Sequence, residues 1–469
     1  MLIKSAVFLT MQLVMLLSDL LALVCGGMFS VYLRHLLHGQ FQLSFYWEHW
    51  PVLAFFLLSY AMAGLYPGIL ISPPEELKKT TLATSTGFVL LAIGVFLTKG
   101  SELYSRGIFF MAWMSLLILV PTFRMITRRI CTGQRWWGYP AIILGAGESG
   151  TIVVNTLKVR PRLGVRPVAL LDDDSRKQGT TIHGVPVLGG LSKAGELSRA
   201  WSNPIAILAM PGLKPAHTRR IIELNCSRFR RIIVVPDLFE CSSLWVKTVD
   251  FGGILGFDVI QKLADRKRQA FKRVFDLLLI SLALPLLIPL FAILALAIKL
   301  DSKGAVFFRH KRIGMNGKEI FVWKFRTMVQ NADAILASYL ERNPELRVEW
   351  EETHKLQNDP RVTRLGKILR KTSLDEFPQL FNVIKGDLSL VGPRPIVYNE
   401  VEKYEDAFNL YKKVRPGITG LWQISGRSTT SYDERVDLDT YYIRNWSIWF
   451  DIYILAMTPQ AVFSGHGAC

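Results

Sequence analysis

Two carboxylates stand side by side in the peptide KTSLDEFPQ, residues 371–379, between a basic segment and a proline. Taken alone, Asp375 and Glu376 read as a helix cap. Ser373-x-x-Glu376 has the spacing of a capping box, with the serine hydroxyl on the third helical amide and the glutamate returning to the serine amide. If Asp375 is itself the cap, Pro378 becomes the third helical residue, where its missing N–H costs little. Either register puts both carboxylates at the positive end of a helix dipole, which favours their ionised forms. An ionised aspartate beside a second carboxylate able to hold Mg²⁺ is also suited to attack phosphorus and form an aspartyl phosphate.

Cations with constrained backbones surround this peptide in sequence. Lys324 and Arg326 alternate in VWKFRTM, so on a strand they would face one side. Arg394 lies between two prolines in VGPRP, and Arg427 closes the glycine-rich RPGITGLWQISGR. Rigidly placed guanidiniums suit bidentate binding of phosphate oxygens, although any one alone is an ordinary surface charge. The five cysteines are scattered and never form C-x-x-C, and no two of the eight histidines have the H-x-x-x-H spacing. That pattern suggests neither a disulfide framework nor a zinc site.

A second motif lies upstream. In PAIILGAGESG, residues 140–150, a short apolar strand runs into Gly145, Gly147 and Gly150, a G-x-G-x-x-G ahead of the helical TIVVNTLK. Such a turn brings backbone amides close to a phosphate at a helix N-terminus. Asp172 ends a second strand, 22 residues after Gly150, near the spacing of a ribose-binding acid. Between Tyr139 and Tyr339 there is no tyrosine. The Tyr-x-x-x-Lys pair of a short-chain dehydrogenase or epimerase is therefore missing, and a structural or regulatory role is expected of this Rossmann-like domain. Asp172, Asp173 and Asp174 could imitate an Asp-x-Asp metal site, but an acidic turn after a strand explains them as well.

These motifs need positioning elements, and many of those are apolar. The chain has 469 residues, 50% hydrophobic, with a mean hydropathy of +0.26. Residues 5–34, 50–66, 81–98 and 107–123 form apolar runs, most of them near the ~20 residues that cross a bilayer. Four transmembrane helices are expected. Lys4, Lys78, Lys79, Arg124, Arg128, Arg129 and Arg135 would be cytoplasmic with both ends inside. The net charge of +18 falls beside apolar segments with no nucleic-acid-binding motif, which favours anionic lipid and phosphorylated substrates over nucleic acid.

A further apolar stretch, residues 271–303, has basic residues on both flanks and Pro285 and Pro289 near its middle. The positive-inside rule wants both ends in the cytoplasm. Two prolines favour a sharp bend, and Ser281 stands one turn earlier, where its hydroxyl could bond a freed carbonyl. The expectation is a re-entrant helix-break-helix at about 271–300. In the tail NWSIWFDIYILAMT, Trp446, Trp449 and Phe450 are expected as interfacial aromatics.

The run from KRVFDLLL through KFRTM, DPRVTRLGK, LRKTSLDEFPQLFNVIKGDLSLVGPRP and RPGITGLWQISGR to LDTYYIRNWSIWFDIYIL closely resembles the bacterial polyprenyl-phosphate phosphoglycosyl transferases with a single re-entrant segment. The region ahead of it looks like the long form of that family, and the likeness is greatest to its O-antigen-initiating galactose branch. The resemblance implies a reaction of UDP-galactose with undecaprenyl phosphate, giving galactosyl-diphospho-undecaprenol and UMP. It places the family's Asp-Glu dyad on Asp375 and Glu376, with Mg²⁺ as cofactor, its basic motif residues on Lys324, Arg326, Arg394 and Arg427, and the membrane break on Pro285 or Pro289. It implies an α+β protein of the bacterial inner membrane with its catalytic domain facing the cytoplasm, and leaves a homodimer open. The expected domains are a four-helix region at 1–135, the Rossmann-like domain at 136–255 and the transferase domain at 256–469. Two other readings are a polyprenyl-phosphate glycosyltransferase, which would release UDP, and a nucleotide-sensing membrane scaffold.

Overall fold

The computed structural model describes residues 2–38, 50–97, 105–134, 136–201, 204–226, 228–236, 247–250, 255–258, 262–343, 347, 356, 359–426 and 431–463. The chain divides into two compact units, Met1–Glu240 and Cys241–Cys469.

The first unit opens with α1 (Leu2–His38), α2 (Pro51–Met62), α3 (Pro73–Leu97) and α4 (Arg106–Cys131). Stretches of α1, α3 and α4 are long and apolar enough to cross a membrane, as is α6 (Arg266–Asp301) of the second unit. Four such helices are present among the described residues, but they are not the expected four. The run at 50–66 forms only the 12 residues of α2, about 18 Å against a hydrocarbon core of about 30 Å. The chain turns at Gly64, whose φ is +70°.

Early in α1, Met11 and Met15 are buried with Trp137, Tyr139, Ile143 and Val154 of the α/β domain, whereas Ala22 and Leu23 pack with Phe56, Tyr60, Phe88 and Leu116 of the bundle. The start of that apolar run is therefore covered by protein. Between the two cores lies a buried ionic cluster. Arg124 donates to Asp19 at 2.9 and 3.0 Å and to Glu76 at 2.7 Å; Arg128 donates to Glu76 at 3.0 Å and to the carbonyls of Gly68 and Arg162 at 2.7 and 3.0 Å. Two arginines that marked topology in the sequence thus have a structural place: opposite charges and carbonyls offset their desolvation.

The α/β domain has four parallel strands, β1 (Tyr139–Leu144), β2 (Val165–Leu171), β3 (Ile205–Leu208) and β4 (Arg231–Val234), in the order 2-1-3-4. Every residue of β1 is buried, as a central parallel strand requires. Gly145 turns the chain at φ +109° into α5 (Glu148–Val159), and a Cβ at Gly150 would collide with the Gly145 carbonyl oxygen.

In the second unit α6 is one α-helix of 36 residues with Pro285 and Pro289 inside it; no helix-break-helix is described. The Ser281 hydroxyl donates to the Leu278 carbonyl at 2.9 Å. The carbonyl that Pro285 frees is that of Ser281 itself, four residues back, so the serine does not satisfy it. The helix rests on a hairpin of β5 (Phe307–Ile313) and β6 (Glu319–Phe325), on α7 (Arg364–Lys371) and on α8 (Gln379–Lys385). Ile280 and Leu284 pack with Ile320, Val322, Val383 and Leu388; Phe291, Leu294 and Ile298 pack with Phe325, Leu369, Leu374 and Phe377.

Polar pins fix the start of α6. Lys272 donates to Asp451 at 2.6 Å, which also accepts from Tyr442 at 2.6 Å and Trp446 at 3.0 Å, and Ser389 donates to Asp276 at 2.6 Å. Trp446 and Phe450 are therefore core residues, 5% and 4% exposed, and not interfacial aromatics. A buried aspartate that needs donors draws the indole inward. The last helices are α9 (Tyr432–Asn445) and α10 (Ile448–Phe463).

Candidate active site

The dyad sits in neither expected cap. Asp375 and Glu376 belong to a 3-10 turn, Leu374–Glu376, between α7 and α8. Ser373 before it takes a left-handed φ of +54°, and its side chain caps nothing. Pro378 is the residue before α8, so its missing amide costs no helical bond.

The edge of β6 supplies the dyad's counter-ion. Lys324 Nζ donates to Glu376 Oε1 at 2.7 Å and stands 3.7 Å from Asp375 Oδ2. The Asp375 carboxyl is 14% exposed. Burial pushes its pKa above the usual carboxylate range, with Glu376 adding to the rise; Lys324 and Arg370 oppose it. The dipole argument predicted the opposite direction, and it loses because α8 has seven residues while desolvation acts on the whole carboxylate. The result is a shielded carboxylate whose charge depends on its cations.

The other expected cations are distributed differently. Arg326 lies one residue beyond β6, and its guanidinium donates to the Ser302 carbonyl at 2.7 Å, the Ser302 hydroxyl at 2.9 Å and the Lys303 carbonyl at 2.9 Å. It closes the loop after α6 and does not join Lys324 at the dyad. Arg394 lies with its Cζ 5.1 Å from the centroid of the Trp422 ring. Arg427 falls outside the described residues.

Three further cations that the motifs did not single out have a place in this unit, two of them acting on the dyad. Arg370 of α7 acts on the Asp375 carboxyl and donates to the Thr327 hydroxyl at 3.0 Å. Arg312 of β5 is half-buried and feels the charges of Arg394, Glu400, Glu376 and Arg435. Arg435 of α9 lies 5.1 Å from the Trp422 centroid and 5.0 Å from that of Tyr432. No local signal could have found them, because their neighbours come from distant segments. Arg312 stands in the quoted VFFRHKRIG, but nothing there separates it from Arg309 or Lys311.

The glycine motif belongs to the first unit, and its acid is occupied. Asp172 accepts from the Ala146 amide at 2.8 Å, the Asp174 amide at 2.9 Å and Lys177 at 3.1 Å. Burial raises its pKa, but these donors outweigh it and leave the carboxyl below its ordinary value. Asp173 accepts from the Leu191 amide at 2.8 Å, and Asp174 pairs with Arg176 at 3.0 Å. All three aspartates thus hold the loop, with Asp172 tied to the glycine-rich turn itself.

Comparison with known proteins follows the same division. A family model described as bacterial sugar transferase matches residues 267–465, and one described as CoA-binding domain matches residues 61–236. The undecaprenyl-phosphate galactose phosphotransferase of Salmonella typhimurium is 37% identical over 78% of this chain and 76% of its own. The UDP-glucose:undecaprenyl-phosphate glucose-1-phosphate transferase of Escherichia coli is 34% identical over 69% of this chain and 67% of its own. The exopolysaccharide production protein ExoY of Rhizobium meliloti is 49% identical over 42% of this chain and 87% of its own. With the dyad, its lysine and nearly all of the long apolar helix α6 inside the matched segment, and with these relatives, the chain belongs to the bacterial sugar transferase family.

Proposed function

We propose that this protein transfers a phosphosugar from a UDP-sugar to undecaprenyl phosphate and releases UMP, through a covalent intermediate on Asp375. The observation that carries the reading is the pairing of a half-buried Asp375 with Glu376 across one lysine, in a turn packed against the long apolar helix α6. In the first step an Asp375 oxygen bonds to the β-phosphorus, the bond to the bridging oxygen breaks, and UMP leaves with the electron pair. In the second step an oxygen of the lipid phosphate attacks the same phosphorus and returns the carboxylate. Lys324 holds the dyad's charge and orients Glu376. Galactose is the sugar favoured by the Salmonella relative.

Among the described residues no three His, Cys, Asp or Glu side chains cluster as a metal cage. Two adjacent carboxylates suffice for Mg²⁺, which keeps several waters and takes substrate phosphates as further ligands. Asp375 and Glu376 are the residues that would hold it, and bound there it would neutralise charge on the diphosphate.

The same reading makes α6 re-entrant. Both halves of the helix pack against one domain, the first through Ile280 and Leu284 and the second through Phe291 and Ile298. Pro285 and Pro289, near the middle of the helix, mark where it would bend to return both ends to one side. Re-entry would hold the dyad at the cytoplasmic surface of the inner membrane, where a soluble sugar nucleotide can meet a lipid phosphate. The glycine-motif domain then has a structural or regulatory role. Incubating the protein with UDP-galactose without acceptor should give a phosphosugar adduct on Asp375 and one equivalent of UMP. Near-normal turnover by Asp375→Asn would refute the covalent step.

A further inference from the structure

Arg394 of a proline-bounded loop and Arg435 of α9 both lie 5.1 Å from the Trp422 ring centroid, and Arg312 of β5, far from both in sequence, feels their charges and that of Glu400. Few acids answer them. Glu400 accepts one bond from Arg435, at 3.0 Å, and its other oxygen accepts from the Val397 amide at 2.9 Å. Asp439 is fully buried, takes the Tyr404 hydroxyl at 2.7 Å, and is pushed up to about 7 by that burial. Among the described residues no carboxylate bonds to Arg312 or Arg394.

Arg435 is 6% exposed, and its Nε and Nη2 are buried without a hydrogen-bond partner. Those two atoms form one edge of the guanidinium, the edge that meets two oxygens of a carboxylate or phosphate together. Unbonded buried donors are costly. Two further guanidiniums beside them would repel unless an anion joins, and burial together with Arg394 already lowers the Arg312 pKa. The cluster reaches the dyad, since Glu376 acts on Arg312.

Resting on the transferase reading above, we infer that Arg312 and Arg435 act with Arg394 as an oxyanion cradle for the nucleotide's own phosphate, the group that leaves as UMP. Arg312 supplies charge from the hairpin that also carries Lys324. Arg435 supplies a pre-set donor edge, held by its stacking on Trp422 and Tyr432. A lysine could replace the charge of Arg435 but not its two-donor edge.

The test measures binding of UMP and of uridine to the full-length protein in detergent, with Arg312→Gln, Arg312→Lys and Arg435→Lys, and follows folding by thermal melting. Loss of a charge-assisted phosphate contact should weaken UMP by about tenfold to a hundredfold. Uridine affinity should stay within about twofold, and the KM for the UDP-sugar should rise more than that for the lipid acceptor. Arg435→Lys should also weaken UMP despite keeping its charge. UMP affinity unchanged in a folded Arg312→Gln protein would overturn the inference, as would equal losses for UMP and uridine, or a rise confined to the acceptor KM. The wild-type control separates the two claims: UMP release with the cradle variants unaffected refutes the cradle alone, while no UMP release by wild type refutes the transferase reading.

Discussion

Replacing Lys324 with methionine keeps an unbranched flexible side chain and removes the cation that bonds Glu376 and stands beside Asp375. Lys324 Nζ is 3.7 Å from Asp375 Oδ2, with the two side chains 28% and 14% exposed. At that distance the Coulomb term is about 4 kcal/mol at an effective dielectric of about 20, and about 1 kcal/mol in bulk water. A value near 2 kcal/mol suits a pair at the edge of a domain, which corresponds to about one to two pH units. The sign follows from the causes acting on Asp375: burial and Glu376 raise its pKa, and Lys324 lowers it. Removing the lysine therefore raises it further. The nucleophile is the ionised form, so kcat/KM falls as pH drops through this pKa, and the acid limb of the profile should move up by about one to two units. UMP release from UDP-galactose, measured from pH 5.5 to 9.5, reads the limb directly. Lys324→Met should lose about tenfold to a hundredfold more at pH 6 than at pH 9, and Lys324→Arg should return the limb toward its original place. A pH-independent loss, with the limb unmoved in a folded protein, would show that Lys324 does not tune Asp375.

Two more outcomes follow from the second unit. Lys272→Met leaves the buried Asp451 without its cation and should cost about 3–5 kcal/mol, read as a lower melting temperature of the solubilised protein; an unchanged melt would mean that Tyr442 and Trp446 suffice. Single cysteines at the exposed Lys267, in the first turn of α6, and at the exposed Lys303, just beyond its end, should react with an impermeant thiol reagent from the cytoplasmic side alone; periplasmic labelling of either one would make the helix a span.

Much of this protein is legible before folding. The apolar runs, the parallel α/β motif and the adjacent carboxylates Asp375 and Glu376 are local signals, since hydrophobic length, a glycine turn and neighbouring charges are written in contiguous residues. Lys324 reads there only as a phosphate-directed cation, and the fold brings it to the dyad. Contiguity also marks the limit. Arg326 and Lys324 look equivalent on an extended strand, but the strand ends between them and Arg326 turns to the carbonyls after α6. Trp446 looks interfacial until Asp451 draws its indole inward, and Arg124 looks like a topology marker until Asp19, 105 residues away, pairs with it. The Asp375 carboxyl runs against its helix-end expectation for the same reason, with burial raising its pKa. A dipole can be inferred from neighbours in the chain, but desolvation depends on what packs over the carboxyl. Arg312 and Arg435 become visible only when a loop and a helix meet at Trp422 and a strand brings a third charge within their field, because electrostatic fields and burial depend on distance in space and carry no mark in the linear order of residues.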